Sequence, residues 1–147
     1  MHGEALTLID GKSTTLAAFR GKPVLVWFVE NGCASCAASI PAVAQHLSAF
    51  SHARTRVLVL GVYGAFGQGQ PARAQLANFG RSTAGSAFAD PAWTWGIASA
   101  KLTSAYDPGG VPDEYFLLDG AGRTTYSGSV PVSTMGALLT HLKSVAS

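Results

Sequence analysis

The stretch Val24-Leu25-Val26-Trp27-Phe28-Val29-Glu30-Asn31-Gly32-Cys33-Ala34-Ser35-Cys36 decides the fold. Pro23 to Val29 is a continuous apolar run rich in Val, the pattern of a strand covered on both faces. Asn31-Gly32 breaks it. From Cys33 to about Phe50 the chain is Ala-rich, and Ile40, Val43, Leu47 and Phe50 recur at three- and four-residue spacing. That spacing predicts a helix with one apolar stripe. The two cysteines therefore stand where a buried strand turns into a helix.

That placement is chemical as much as structural. The first turn of a helix has free N–H groups and the positive end of the peptide dipole. A thiolate at Cys33 is stabilised there, and the thiolate is the form that attacks disulfides. Residues three apart share a helical face, so Cys36 reaches Cys33 from a more shielded position. These are the chain's two cysteines. A bridge over two intervening residues closes almost no loop, so stability is a poor reason for the pair and reactivity a better one. The expected cycle has Cys33 attack a partner disulfide and Cys36 resolve the mixed disulfide.

Outward from the pair, Leu6 to Ile9 and Thr14 to Phe19 read as short pieces around the turn Asp10-Gly11. Arg56 to Tyr63 predicts a second buried strand, Pro71 to Phe79 a helix with proline at its start, and Arg81 to Pro91 a loop. Ala92 to Ile97 predicts a strand, and Ser99 to Tyr106 a short helix capped by Ser99. Glu114 to Leu118 and Arg123 to Ser127 flank Asp119-Gly120-Ala121-Gly122 as a hairpin, and Val132 to Val145 closes the chain as an amphipathic helix. Alternating strands and helices predict an α/β domain with a mostly parallel sheet covered on both faces, made mixed by the late hairpin.

Composition narrows the function. The 147 residues fit a single domain, 1–147, and 48% are apolar while 12% are charged, so a packed domain is expected. A net charge of +2 without a Lys/Arg run leaves no electrostatic footprint for nucleic acid. No apolar run reaches the roughly 18 residues of a membrane span. The start Met1-His2-Gly3-Glu4 lacks the apolar core of a signal peptide. It fits either a cytosolic chain or one that begins after a removed signal or anchor.

Four features in order resemble the thioredoxin superfamily, and within it the TlpA/ResA/DsbE-like branch. They are the apolar strand leading into Cys33-Ala34-Ser35-Cys36, Pro41 five residues after Cys36, Val111-Pro112 followed by Tyr115-Phe116-Leu117-Leu118-Asp119, and the segment Leu6 to Phe19 ahead of the first buried strand. The resemblance implies a thioredoxin fold, with a central mixed sheet flanked by helices and an N-terminal β-hairpin extension. It also implies a cis Pro112 facing the dithiol, with the Val111 backbone pairing to an extended partner segment. The implied activity is thiol-disulfide exchange with protein thiol or disulfide clients, as a monomeric reductant fed by an upstream electron donor. Its redox-active Cys33–Cys36 disulfide would serve in place of a cofactor. An extracytoplasmic (periplasmic or membrane-tethered) location and a part in cytochrome c maturation or copper-site assembly come from resemblance alone.

The chain also departs from that pattern. Gly32 stands where the branch has an aromatic residue, Ser35 where it often has proline, and Trp27 where many thioredoxins bury an acid. Glu30, three residues before Cys33, is the nearest acid and is nominated as acceptor of the Cys36 proton. Asp113 and Glu114 are candidates for the same surface. A second function class is soft-metal transfer, with Cu(I) held by the two thiolates and a ligand supplied by the client. His46 lies about 15 Å from the pair along a continuous helix. Of the histidines, only His141 could approach the pair through the fold. Gly11-Lys12-Ser13 lacks the upstream glycine of a phosphate loop. Glu30 occupies the place a peroxidase would give to a hydroxyl. Trp27, Trp93 and Trp95 read as core or rim aromatics.

Overall fold

The computed structural model describes residues 4–146. Its strands are β1 (Ala5–Leu8), β2 (Ser13–Thr15), β3 (Val24–Val29), β4 (Arg56–Gly61), β5 (Trp93–Ala98), β6 (Glu114–Leu118) and β7 (Thr124–Ser129). Its helices are α1 (Ala34–Ala44), α2 (Leu47–His52), α3 (Gly69–Ala84), α4 (Ala100–Tyr106) and α5 (Pro131–Ala146). The strands form one sheet in the order β2-β1-β5-β4-β3-β6-β7. β3, β4 and β5 run parallel, and β6–β7 and β1–β2 extend the sheet antiparallel at its two ends.

The continuous apolar run becomes the centre of this sheet because both of its faces are covered. Leu25, Trp27 and Val29 point to one side and meet Ile40, Val43 and Phe50 from the first two helices, with Leu138 and Leu142 of α5. Val24, Val26 and Phe28 point to the other side and meet Leu16, Leu102 and Tyr106. Every β3 side chain is buried. At about 1.5–3 kcal/mol per fully buried large apolar side chain, this register dominates the core. A slip by one residue would exchange the two faces.

The expected long helix divides into α1 and α2. Pro41 lies inside α1 and has no N–H to offer its preceding turn. Its carbonyl accepts the Gln45 N–H at 3.1 Å, but His46 N–H turns back to the Val43 carbonyl at 2.9 Å, and the chain re-enters a helix at Leu47. The stripe survives the break, since Ile40, Val43, Leu47 and Phe50 are all buried.

Residues 81–91, expected as a loop, continue α3 to Ala84 and then form a single 3-10 turn, Gly85–Ala89. Local pattern is weak there, and tertiary packing supplies the order. Gly80 leaves room for Phe88 and Trp95, and the Arg81 guanidinium lies 5.2 Å from the centre of the Phe88 ring. The N-terminal hairpin docks on β5 through Leu6 opposite Ala98. Ser99 caps α4, its Oγ accepting the Leu102 N–H at 3.1 Å. Among the described residues no helix is long and apolar enough to cross a membrane.

Candidate redox site

β3 ends at Val29, and Gly32 makes the turn into α1 with φ +77°, a backbone state that a bulkier residue adopts only under strain. Cys33 is then the N-cap of α1. Its Sγ accepts the Cys36 N–H at 3.1 Å, so sulfur takes the place usually held by a Ser or Asp oxygen. Cys33 and Cys36 are joined by a disulfide with Cα atoms 5.2 Å apart. Cys33 is half-buried, while Cys36 is fully buried against Ile40 and Trp27 in the same core. Ser35 Oγ lies 3.4 Å from Cys33 Sγ.

Bonded to the helix that carries the pair is a carboxyl that strand and helix patterns do not announce. Asp113 is fully buried. It follows Pro112 with φ +68°, and its backbone is pinned by N–H donation to the Phe28 carbonyl and acceptance from the Val130 N–H. Trp27 Nε1 donates to its Oδ1 at 2.7 Å, and Ser39 Oγ donates to its Oδ2 at 3.1 Å. Burial pushes the Asp113 carboxyl above its ordinary range, while hydrogen bonds from Trp27, Ser35 and Ser39 pull the other way. The acid absent from the β3 position occupied by Trp27 thus arrives from the neighbouring chain segment, and the indole supplies its donor. Ser39 thus ties the cysteine-bearing helix to Asp113, while the Ser35 hydroxyl one turn earlier lies against Cys33 Sγ. The legible signal was a serine at position 39, inside the apolar stripe of α1.

The turn before Asp113 holds the other nominated residues. Val111 is 49% exposed, and its N–H donates to Asp107 Oδ1 at 2.9 Å. No cis peptide bond occurs among the described residues, so the implied cis Pro112 is replaced by the trans form, the lower-energy isomer for an X–Pro bond. Positive φ at Gly110 and Asp113 lets the turn reverse without it. Asp107 is 1% exposed and was not foreseen as a site residue. It follows a short helix and precedes Pro108-Gly109-Gly110, the composition of a tight turn.

Glu30 is half-buried, and the charge it meets is that of Asp107. Burial pushes the Glu30 carboxyl up, and Asp107 adds to the effect. Burial likewise pushes up Glu114, with a hydrogen bond to Asp107 adding. Glu30, Asp107 and Glu114 therefore form an acidic group around the turn, whereas Asp113 is bonded to the cysteine-bearing helix.

His141 stacks on Tyr126 with ring centres 3.9 Å apart, and His46 lies between α1 and α2. His2 lies outside the described residues. Among the described residues no group of three or more His, Cys, Asp or Glu side chains is placed to hold a metal ion. Trp27 packs in the core beside Cys36, while Trp93 and Trp95 meet each other and Phe88.

No family model and no curated protein sequence matches the chain. Solved structures do. A thioredoxin-like protein from Aeropyrum pernix superposes with TM-score 0.73 at 20% identity, covering 96% of this chain and 88% of that one. A protein proposed to be the thiol:disulfide interchange protein DsbE of Chlorobium tepidum superposes with TM-score 0.73 at 16% identity, covering 100% and 99%. Copper-bound ScoI from Bradyrhizobium japonicum gives TM-score 0.69 at 19% identity, covering 99% of both chains. At these identities the likeness is one of fold, and the fold is thioredoxin-like, with its mixed sheet flanked by helices.

Proposed function

We propose that this protein is a thiol-disulfide oxidoreductase that reduces disulfides in protein partners through Cys33 and Cys36, drawing electrons from an upstream donor. The observation that carries this reading is the Cys33 sulfur at the start of α1, accepting the Cys36 N–H while bonded to a buried Cys36. In the reduced protein the Cys33 thiolate attacks one sulfur of a client disulfide, and the other client sulfur leaves as a thiolate that takes a proton. Cys36 then loses its proton and attacks Cys33 Sγ. The bond to the client breaks, and the Cys33–Cys36 disulfide closes. Two electrons have passed to the client, and a donor dithiol restores the pair by the reverse chemistry.

In this reading Val111 and Pro112 form the edge against which an extended client segment lies. The Val111 N–H is held by Asp107, so pairing through that group requires the bond to open. Glu30 remains a proposed acceptor for the Cys36 proton. The likeness to the DsbE structure supports an extracytoplasmic location.

Soft-metal transfer by the same dithiol is the competing reading, and the likeness to copper-bound ScoI is what favours it. It would need a client to complete the ligand set. Incubation of the reduced protein with a disulfide-bonded model protein such as insulin separates the two. The oxidoreductase reading expects client reduction with stoichiometric closure of Cys33–Cys36, read by mass. Cu(I) binding with no exchange would favour metal transfer instead.

A further inference from the structure

We propose that the hydrogen bond between Asp107 and Val111 is an autoinhibitory latch, in which the Asp107 carboxylate occupies the backbone N–H that a client segment needs beside Cys33. This rests on the oxidoreductase reading above and adds a regulation of the same site. The Val111 N–H donates to Asp107 Oδ1 at 2.9 Å. An N–H carries one hydrogen and serves one good acceptor at a time. Register sets where this group stands. β3 and β6 pair antiparallel with Trp27 opposite Tyr115, and the Asp113 N–H donates to the Phe28 carbonyl at 2.8 Å. Carried past Asp113, that ladder lays Pro112 and Val111 alongside the segment 30–32 that leads into Cys33. Val111 is 49% exposed there, so a chain approaching the dithiol meets it.

The competition for that hydrogen favours the closed state. A hydrogen bond to an ionised acceptor is about twice as strong as one between neutral groups. A client carbonyl is neutral, so it must displace a better acceptor than itself. Displacement also strips a donor from a carboxylate that is 1% exposed and has little water to replace it. The fold permits the exchange because the turn lies between two fixed ends. At one end the Asp107 N–H donates to the Thr103 carbonyl of α4 at 2.7 Å. At the other, Asp113 is held by Phe28, Trp27 and Ser39. Between them stand Gly109 and Gly110, and Gly110 has φ +64° with open space where a side chain would be. Rotation at these glycines turns Val111 away from Asp107 without moving either end. The latch lowers the apparent affinity for clients that pair through their backbone, in proportion to the fraction of molecules with Val111 free. Small disulfides carry no such segment and do not meet it.

The test compares the wild type, Asp107→Ala and Asp107→Asn, as full chains, in two reactions. One is reduction of insulin with dithiothreitol as electron source. The other is reduction of dithiodipyridine, which has no backbone to pair. In Asp107→Ala the KM for insulin is expected to fall about 10-fold, and the ratio of kcat/KM for insulin to that for dithiodipyridine to rise by a similar factor. Asp107→Asn keeps the shape but offers a neutral acceptor, and its KM is expected to fall about 3-fold. An unchanged or raised KM would overturn the latch and make Asp107 a support of the client edge. A second reading is hydrogen exchange at the Val111 amide. It is expected to be fast in free Asp107→Ala. It should slow again when Asp107→Ala/Cys36→Ser is held in a mixed disulfide with a cysteine-containing peptide, whose carbonyl takes over the N–H. Exchange that stays fast in that complex would show that clients do not use this group, and the latch would fall. If Asp107→Ala does not fold, Asp107→Asn decides by its KM. A wild type that fails to reduce insulin would sink the oxidoreductase reading and the latch with it. A wild type that reduces insulin, with KM unmoved in the variants, would sink the latch alone.

Discussion

Trp27 and Asp113 stand 86 positions apart in the chain, and the indole Nε1 donates to the carboxylate Oδ1 at 2.7 Å in the buried core. The antiparallel pairing of β3 with β6 brings them together, since Trp27 lies opposite Tyr115 and Asp113 immediately precedes β6. Each group answers the other's need. The indole N–H finds an acceptor inside the sheet, and the carboxyl finds a donor where water is excluded.

Trp27→Phe keeps most of the ring volume and removes that donor. The variant is expected to lose about 1–3 kcal/mol in urea unfolding, the cost of leaving a buried acceptor unsatisfied. An unchanged midpoint would mean that Asp113 does not depend on the indole.

Asp113→Asn is expected to gain on the wild type as pH rises. Burial holds the folded-state pKa of Asp113 above its ordinary 3.8. For an acid with a raised pKa, the stabilising contribution is complete below the unfolded value and is lost as pH rises through the folded one. The unfolding free energy of Asp113→Asn minus that of the wild type should therefore rise from pH 3.5 toward neutrality and then level off. A difference that falls over that range would contradict the burial argument.

Those two residues also mark the limit of what the sequence discloses. The strand run 24–29, the Cys33–Cys36 junction and the stripe Ile40–Phe50 are local patterns, and all three stand in the structure. Asp113 was visible as an acid beside Pro112, but its burial depends on a cross-strand register that no local pattern encodes. Residues 81–84 were missed as helix for a related reason. Their order comes from Phe88 and Trp95 closing over Gly80 rather than from periodicity. The helix break after Pro41 was misjudged because an apolar stripe can continue across a two-residue interruption.

Cys36→Ser should trap what the wild type releases. Cys33 is half-buried at the start of α1 and keeps its nucleophilic position, but the resolving thiol is gone. With a disulfide-bonded client the variant is expected to accumulate a mixed disulfide visible on non-reducing gels, and Cys33→Ser to form none. Equal trapping by both variants would remove the division of labour between the two sulfurs.

Asp107→Ala should loosen the turn that presents Val111. Asp107 Oδ1 accepts the Val111 N–H at 2.9 Å. Loss of that acceptor is expected to speed hydrogen exchange at the Val111 amide by about 10-fold or more, in line with a hydrogen bond worth roughly 1.5–3 kcal/mol to a charged group. Unaltered exchange would show that the turn is held by its backbone alone.

The most direct test is the reduction potential of the Cys33–Cys36 pair, measured by equilibration with dithiothreitol and glutathione. A reductant of protein disulfides is expected near or below the thioredoxin value of about −270 mV. A potential near about −120 mV would contradict the assigned direction and make the protein a disulfide donor. Failure to form an intramolecular disulfide at any ratio of the redox buffer would contradict the oxidoreductase reading itself.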